Sequence, residues 1–340
     1  MLFTSRPVGD AMATTIWGTS SSWTLTALPL FVWMGEILFR TKLSENLFKG
    51  LSPWMQKLPG GLIHVNVVGC ALFAAISGSS AATVATVGKM SIPELRKRNY
   101  PEKILLGSLA GSGTLGLLIP PSIILIIYGV AVQESIAKLF IAGIIPGIMI
   151  ALIFMSYVII WSLINKKSMP KMIEDYSFFE KIKKSKQLLP VIILILAVIG
   201  SIYTGIATAT EAASLGVVGA LILSYFQKSL TLKTFKSSLL GATKTSCMIA
   251  FILAGSTFLS LAMGFTGLPR NLALWIQNME LSPYVLIFVL MIFYIILGMF
   301  LDGISAVVLT MAIIEPMISC LLYTSPSPRD AIPSRMPSSA

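Results

Sequence analysis

The stretch ISGSSAAT, residues 76–83, interrupts an otherwise apolar and uncharged run from Leu58 to Gly88. A second run, from Leu281 to Ile314, is interrupted by Gly298 and then by Asp302-Gly303-Ile304-Ser305. In hydrocarbon, non-helical backbone persists only where it is buried in protein or lines a cavity, because its polar groups need partners. Two broken segments of this kind in corresponding parts of a membrane protein predict a substrate and ion site.

The composition is that of a polytopic membrane protein. The chain is 55% hydrophobic and 11% charged, with a mean hydropathy of +0.85. A membrane-spanning helix needs about 20 apolar residues. Cys70, Cys247 and Cys320 are scattered singly, which gives neither a disulfide framework nor a metal-ligand spacing. Uncharged runs long enough to span occur at Ile104–Gln133, Leu139–Asn165, Gln187–Thr210, Thr245–Pro269 and Leu281–Leu301.

The net charge of +11 comes mainly from basic segments between the apolar runs. Most of the 25 Lys and Arg residues lie in residues 40–57, 89–103, 166–186 and 228–244, whereas the alternate connections hold only Lys138 and Arg270. Cytoplasmic loops carry such an excess. The basic residues therefore set the orientation in the membrane and do not indicate a nucleic-acid partner.

This orientation makes the two broken segments enter the membrane from opposite sides. Residues 58–88 have basic residues on both flanks and are predicted to enter and leave from the cytoplasm, while residues 281–314 begin outside. Opposed re-entrant hairpins are typical of an inverted repeat. We therefore predict an all-α polytopic fold with two re-entrant helical hairpins, and an amphipathic helix in the inside loop 166–186.

The predicted organisation has six parts, and the last is unlike the rest. Residues 320–340 are rich in Ser, Pro and Arg and have no periodicity, so we expect them to be either a disordered tail or not native coding sequence. The other parts are a partial N-terminal segment (1–24), a scaffold helix with an inside loop (25–57), a hairpin with a broken helix (58–133), scaffold or arm helices (134–280) and a second, incomplete hairpin (281–319).

An ordered set of short strings over residues 24–319 resembles the large membrane subunit of tripartite ATP-independent periplasmic (TRAP) transporters. The strings are ALPLF (27–31), LPGG (58–61), SGSSAAT (77–83), GTLG (113–116), IPPS (119–122), AGIIPG (142–147), TATEAA (208–213) and GMFLDG (298–303).

The resemblance implies a secondary transporter subunit, not an enzyme, in a bacterial inner membrane. Its partners would be a small four-helix membrane subunit and a periplasmic solute-binding protein, and its coupling ion would be Na⁺. The cargo would be a small organic acid such as a C4-dicarboxylate, keto acid, sugar acid or sialic acid, moved by an elevator motion. The family has further N-terminal helices and a closing span, so the chain is expected to be incomplete at both ends.

The hairpins offer oxygen ligands for a cation without burying net negative charge, apart from Asp302, whose ionised form needs a partner in an apolar span. Pro120 and Pro121 lack N–H donors and free further carbonyls. We expect substrate and ion binding at Ser77, Gly78, Ser79, Ser80 and Thr83 in the first hairpin, at Gly113, Thr114, Gly116, Pro120, Pro121 and Ser122 in the broken helix, and at Gly298, Asp302, Gly303 and Ser305 in the second hairpin. The Na⁺ ligands are expected to be Ser79, Ser80, Gly116, Asp302 and Gly303. Two structural alternatives stay open, namely helix packing through the small residues and a helix N-cap at Asp302.

Other polar residues suit structural roles. Thr208 and Glu211 form a T-x-x-E capping box, Glu36 and Arg40 are spaced to pair across one helical turn, and His64 is expected to be a hydrogen-bonded interior residue.

Two further functions fit the same residues less well. An intramembrane protease could use Ser79, His64 or Asp302, but a serine enzyme needs its nucleophile and base within hydrogen-bond reach, and Asp302 has no intramembrane aspartate partner. An elevator-type anion carrier without a binding protein would use the same hairpins. No nucleotide-binding loop is evident in the sequence, which argues against direct ATP drive.

Overall fold

A computed structural model describes residues 8–41, 43–170, 176–186, 188–267, 271–272, 274–275, 278–279, 282–301 and 303–322. These residues form α-helices with short 3₁₀ turns, and no strand occurs among them. The prediction of an all-helical fold is therefore confirmed. The helices are α1 (Val8–Ser20), α2 (Ala27–Phe39), α3 (Leu43–Met55), α4 (Ile63–Ser77), α5 (Ser80–Lys97), α6 (Glu102–Gly113), α7 (Ile123–Ala131), α8 (Ile136–Ile164), α9 (Phe178–Ser185), α10 (Leu189–Tyr203), α11 (Ala209–Phe226), α12 (Leu232–Thr266), α13 (Pro283–Gly298) and α14 (Gly303–Leu322).

Several of these helices are long and apolar enough to cross a membrane. Among the described residues, α8, α11 and α12 qualify individually, and up to five spans result if two bent helix pairs each count as one. By contrast, Ile63–Ser77 and Tyr284–Gly298 are shorter apolar helices. These two short helices are the first arms of the segments that the sequence predicts to be broken.

The chain divides into two compact units, and the larger comprises Trp17–Ala254. Helix α4 lies at its centre and packs against α2, α3, α5, α6 and α8. Phe73 and Ala74 of α4 are fully buried, and Ile76 is nearly so. A helix that is apolar on all sides is typically buried in this way. The hairpin arm is thus surrounded by protein on most of its surface.

The smaller unit comprises Met1–Ile16 and Gly255–Ala340, and its described part contains the helix pair α13 and α14. The two helices pack against each other. The hydroxyl groups of Tyr294 on α13 and Thr310 on α14 share a hydrogen bond of 2.7 Å. Ser256 Oγ donates to the Val308 carbonyl at 2.7 Å, which ties the end of α12 to α14.

The segment after α2, which the sequence analysis predicts to be an inside loop, contains a helix. Within α3, Leu47 and Leu51 are 3% and 7% exposed and lie one turn apart, whereas Lys49 between them is exposed. This amphipathic pattern is short and contains Pro53, so it does not stand out in the sequence. Helix α3 packs against α4, α5 and α9.

The predicted amphipathic helix in residues 166–186 is present as α9. Its start is stabilised because the Ser177 N–H donates to Glu180 Oε2 at 3.0 Å. Phe178 and Phe179 at its beginning are exposed.

Candidate functional site

The first hairpin turns at Gly78 and Ser79, between α4 and α5. Gly78 has a φ of +59°, and its N–H donates to the Ala74 carbonyl at 3.0 Å, which ends α4 with a left-handed cap. Ser79 is the N-cap of α5, and its Oγ accepts a hydrogen bond from the Ala82 N–H at 3.5 Å. The predicted break at residues 77–80 is therefore confirmed.

The polar groups of the turn are bonded to one another. Thr83 Oγ1 donates to the Ser79 carbonyl at 2.7 Å and lies 2.9 Å from Ser77 Oγ. Thr83 is fully buried, and Ser77 is 6% exposed. The turn is consequently an ordered cluster of hydroxyl and carbonyl oxygens inside the protein.

The predicted broken helix is also present, as α6, a 3₁₀ turn at Thr114–Leu117, and α7. Pro120, Pro121 and Ser122 lie between the turn and α7 and are buried, and the Pro120-Pro121 peptide bond is cis. Ser122 Oγ donates to the Leu117 carbonyl at 2.5 Å, which closes the break on itself.

The hairpin turn and the broken helix meet directly. The Ile123 N–H at the start of α7 donates to the Gly78 carbonyl at 3.3 Å. A Cβ atom built on Gly116 would lie 3.0 Å from the Ser79 carbonyl carbon and oxygen and 3.1 Å from the Ser80 nitrogen. Three of the five residues expected to hold Na⁺, namely Ser79, Ser80 and Gly116, therefore come together.

Gly113 and Thr114, which precede Gly116 in the broken helix, have different surroundings. A Cβ atom on Gly113 would clash with Val84 Cγ2, so this glycine permits α6 to pack against α5. Thr114 is exposed, and its Oγ1 donates to the Gly111 carbonyl at 2.7 Å. Gly113 thus has a packing role.

The second hairpin has its break where the sequence predicts it, between α13 and α14. Gly298 is the last residue of α13 and is exposed, with no atom within 4 Å of a Cβ position. Gly303 and Ser305 lie in the first turn of α14 and are partly buried. Asp302 lies outside the described residues. These positions belong to the smaller unit, and Ser79, Ser80 and Gly116 belong to the larger one.

A buried polar network behind the hairpin was missed by sequence reasoning. Asn66 on α4 is fully buried, and its Nδ2 donates to Ser108 Oγ at 3.0 Å and to the Leu105 carbonyl at 3.3 Å, both on α6. Ser112 Oγ donates to the Asn66 carbonyl at 3.4 Å. The network fixes the hairpin arm to the broken helix. Its only sequence signal is a set of isolated polar residues in apolar runs.

Helix α2 makes a second unanticipated contact with the hairpin. A Cβ atom on Gly35 would lie 3.0 Å from the Ser77 Cα atom. The close approach brings α2 against the end of α4, so the backbone of the turn is covered on this side as well.

His64 lies at the opposite end of α4 from the turn and is fully buried. Its Nε2 donates to the Pro59 carbonyl at 2.7 Å, which confirms the interior role. The length of α4 separates His64 from Ser79 by about 20 Å at 1.5 Å per residue. The two residues do not form a nucleophile and base pair.

Two other structural predictions are confirmed. The Thr208 N–H donates to Glu211 Oε2 at 2.8 Å, and the Glu211 N–H donates to Thr208 Oγ1 at 3.4 Å, which is a capping box at the start of α11. Arg40 Nη1 forms an ion pair with Glu36 Oε2 across one turn of α2.

Comparison with known proteins identifies the family. The model of the family described as "Tripartite ATP-independent periplasmic transporter, DctM component" matches residues 1–322. The chain is 33% identical to the C4-dicarboxylate TRAP transporter large permease protein DctM of Pseudomonas aeruginosa, over 89% of the chain and 70% of the relative. It is 31% identical to the protein of the same name from Rhodobacter capsulatus, over 93% of the chain and 75% of the relative. It is also 31% identical to the sialic acid TRAP transporter large permease protein SiaM of Vibrio cholerae, over 89% of the chain and 71% of the relative.

These relatives are transporter permeases, and the apolar helices agree with an integral membrane protein. The chain therefore belongs to the family of the DctM component of tripartite ATP-independent periplasmic transporters.

Proposed function

We propose that the chain is the permease subunit of a sodium-coupled importer of small organic acids in a bacterial inner membrane. Substrate is delivered by a periplasmic binding protein, and a small four-helix membrane subunit completes the assembly. The hairpin-bearing part moves against the remaining helices in an elevator motion. The observation that carries this proposal is the contact of the first hairpin turn with the broken helix.

The length of α4 supports a re-entrant hairpin. Its 15 residues extend about 22 Å at 1.5 Å per residue, whereas the hydrocarbon core is about 30 Å thick. The turn at Gly78 and Ser79 therefore falls at membrane depth if α4 starts near one interface. Gly78 is buried and Ser79 is partly buried, as expected of non-helical backbone at that depth.

Helix ends at the turn favour both an anion and a cation. Helices α5 and α7 begin at Ser80 and Ile123, which the Gly78 to Ile123 hydrogen bond brings together. Two helix N-termini offer a positive field that favours a carboxylate. The C-terminus of α4 ends at Ser77 in the same place, and its carbonyls suit a monovalent cation, as in transporters with discontinuous helices.

The proposed sodium ligands are backbone oxygens and hydroxyls near Ser79, Ser80 and Gly116 in the larger unit, and Asp302 and Gly303 in the second hairpin. The first three residues are in mutual contact. Among these proposed ligands only Asp302 carries a carboxylate, whose negative charge would balance a sodium ion bound beside it. Sodium binding would in turn offset the cost of an ionised group in an apolar segment.

The names of relatives and the helix ends at the turn support the proposed substrate class. Two of the relatives are named for C4-dicarboxylate and sialic acid, and both of these ligands carry a carboxylate. The residues that distinguish these cargos do not stand out in this chain. Selection by the binding protein is consistent with a permease site that recognises only the shared carboxylate.

A reconstituted uptake assay tests the function. The protein, with its small subunit and binding protein, is placed in liposomes with an imposed inward sodium gradient, and uptake of radiolabelled C4-dicarboxylates and sialic acid is measured. We expect uptake only when both the gradient and the binding protein are present. Uptake without the binding protein would instead support the independent carrier. Uptake indifferent to sodium would contradict the proposed coupling.

A further inference from the structure

Helix α9 presents an exposed apolar face. Phe178, Phe179 and Ile182 are 69%, 77% and 41% exposed. Residues three and four positions apart are neighbours on a helix surface, so Ile182 lies one turn from both phenylalanines. The three side chains therefore form one patch. A contiguous exposed apolar patch marks a surface that contacts a partner or a membrane.

The opposite side of α9 is attached to α3 through Trp54. Trp54 Nε1 donates to Ser185 Oγ at 2.7 Å, and Lys181 Nζ lies 5.6 Å from a Trp54 ring centroid. Lys181 and Ser185 are four residues apart and share one side of the helix. Phe178 lies at the edge of this contact, with its ring centroid 6.2 Å from that of Trp54. The contact with α3 thus fixes the direction in which the apolar patch faces.

Helix α9 comes directly before an apolar helix and is inclined to it. Helix α10 starts at Leu189, shortly after α9 ends at Ser185, and the two helices are bent by 59° from one another. Leu189 itself is exposed and apolar. A short amphipathic helix that is bent away from the start of a span is placed to lie along the membrane surface.

The segment around α9 is basic as a whole. Residues 166–186 contain seven lysines and three acidic residues, Glu174, Asp175 and Glu180. Lys183 and Lys186 are exposed, and they follow Phe179 and Ile182 by four residues, so they border the apolar patch. An anionic lipid surface matches both parts, because its headgroups attract lysines and its acyl chains accept apolar side chains. A neutral lipid surface would match only the apolar part.

We infer that the exposed face of α9 binds the surface of an anionic phospholipid leaflet. Phe178, Phe179 and Ile182 enter the boundary between headgroups and acyl chains, and Lys183 and Lys186 contact lipid phosphates. The basic segments of the chain are predicted to be cytoplasmic, and the cytoplasmic leaflet carries the anionic lipids.

The lipid contact goes beyond the proposed transport function. Helix α3, which holds α9, also packs against α4 and α5 of the first hairpin, so the lipid surface would support the helices around the hairpin. Lipid contact is measurable in protein that transports nothing. Its failure and the failure of the proposed function are therefore distinguishable.

Fluorescence quenching in lipid nanodiscs tests the inference. A fluorophore is attached at Phe179→Cys in a background lacking Cys70, Cys247 and Cys320. The quencher is phosphatidylglycerol or phosphatidylcholine with a nitroxide either near the headgroup or near the end of one acyl chain. We expect the shallow nitroxide to quench more than the deep one, since an interfacial helix inserts about 5–10 Å. At equal mole fraction, phosphatidylglycerol should be preferred over phosphatidylcholine by about fivefold or more.

Two matched pairs of lysines test the part played by charge. Lys183→Gln with Lys186→Gln should bring the preference for phosphatidylglycerol to within about twofold of that for phosphatidylcholine, since each basic residue near the surface adds attraction. Lys233→Gln with Lys236→Gln removes the same charge from exposed positions of α12. This control pair should leave the preference at the label unchanged, because the quenching reports only lipids next to α9.

Three outcomes would overturn the inference. A label that neither lipid quenches would place the face in water or under a protein partner. Equal quenching by phosphatidylglycerol and phosphatidylcholine would remove the preference for anionic lipid. The same loss of preference in both lysine pairs would show that the charge of the whole protein, and not that of α9, attracts the lipid. If the label at residue 179 disturbs α9, a label at Ile182→Cys on the same face gives the same comparisons.

Discussion

Gly116 faces the backbone of Ser79 so closely that a Cβ atom at residue 116 would lie 3.0 Å from the Ser79 carbonyl carbon and oxygen. The hairpin turn and the broken helix are in contact at a point where a Cβ atom at residue 116 would crowd the Ser79 and Ser80 backbone. These residues are 37 positions apart in numbering (116 − 79), so the contact is a tertiary feature of the site.

Substitution of Gly116 should separate the turn from the broken helix. We expect Gly116→Ala to destabilise the protein by about 1–3 kcal/mol, the usual cost of overpacking, and to reduce uptake more than expression. Thermal unfolding in detergent and uptake per mole of inserted protein measure the two effects. Gly107→Ala is the control, since a Cβ on this α6 glycine meets nothing within 4 Å. Equal stability of Gly116→Ala and Gly107→Ala would mean that the close contact does not exist.

Gly78 combines a left-handed backbone with crowding, and a second glycine separates the two effects. Gly78 has a φ of +59°, and its Cβ would lie 2.8 Å from the Pro121 carbonyl oxygen, whereas Gly205 has a φ of +72° and open space. We expect Gly205→Ala to cost about 1–2 kcal/mol through conformation alone. Gly78→Ala should cost about 1–3 kcal/mol more. The midpoints of thermal unfolding of the two variants measure the difference. Equal losses of stability in Gly78→Ala and Gly205→Ala would show that the turn is not packed against the Pro121 backbone.

The Asn66 to Ser108 hydrogen bond should couple the hairpin arm to α6. We expect a double-mutant cycle of Asn66→Ala and Ser108→Ala to give a coupling energy of about 0.6–1.7 kcal/mol, the range found between membrane helices. Thermal unfolding of the four proteins provides the cycle. A matched cycle of Asn66→Ala with Ser162→Ala should be additive, because the Ser162 hydroxyl donates to the Ile159 carbonyl of its own helix. Additive effects in the Asn66 and Ser108 cycle would show that this hydrogen bond does not couple the hairpin arm to α6.

The hydroxyls of the turn should contribute to sodium binding. We expect the Ser79→Ala and Ser80→Ala double variant to raise the sodium concentration for half-maximal uptake by roughly tenfold, equivalent to about 1.4 kcal/mol. Loss of the Ser79 cap also destabilises α5, so Thr208→Ala at the N-cap of α11 serves as the control. The control should lower stability without moving the sodium dependence. A double variant with reduced protein level and unchanged sodium dependence would favour helix packing as the role of these residues.

The breaks were predictable from the sequence because each one places small polar residues or prolines inside an apolar run. Local pairs were predictable for a similar reason, as Thr208 with Glu211 and Glu36 with Arg40 lie within one helical turn. The sequence analysis assigned Gly116 and Ser79 to the same ion site, but it did not predict that their backbones touch.

Long-range partners were beyond sequence reasoning. Asn66 and Ser108 are 42 residues apart, and nothing in either apolar run specifies which face meets the other. The helix α3 was missed because its apolar face is narrow and its sequence includes charged residues and Pro53. Packing against α4 and α9 stabilises such a segment, and single-sequence periodicity does not contain that information.

The proposed re-entrant hairpin requires that its turn at Gly78 and Ser79 lies deep in the membrane. A spin label at Ala81→Cys, an exposed position just after the turn, is measured by power saturation in lipid nanodiscs, in a background lacking Cys70, Cys247 and Cys320. A label at Lys97→Cys, at the end of α5, provides the headgroup reference. We predict that the Ala81 label lies about 15–20 Å below the cytoplasmic headgroup region, near the midplane of a core about 30 Å thick. A label at Ala81 with the same accessibility to water-soluble relaxants as the one at Lys97 would place the turn at the membrane surface and contradict the account.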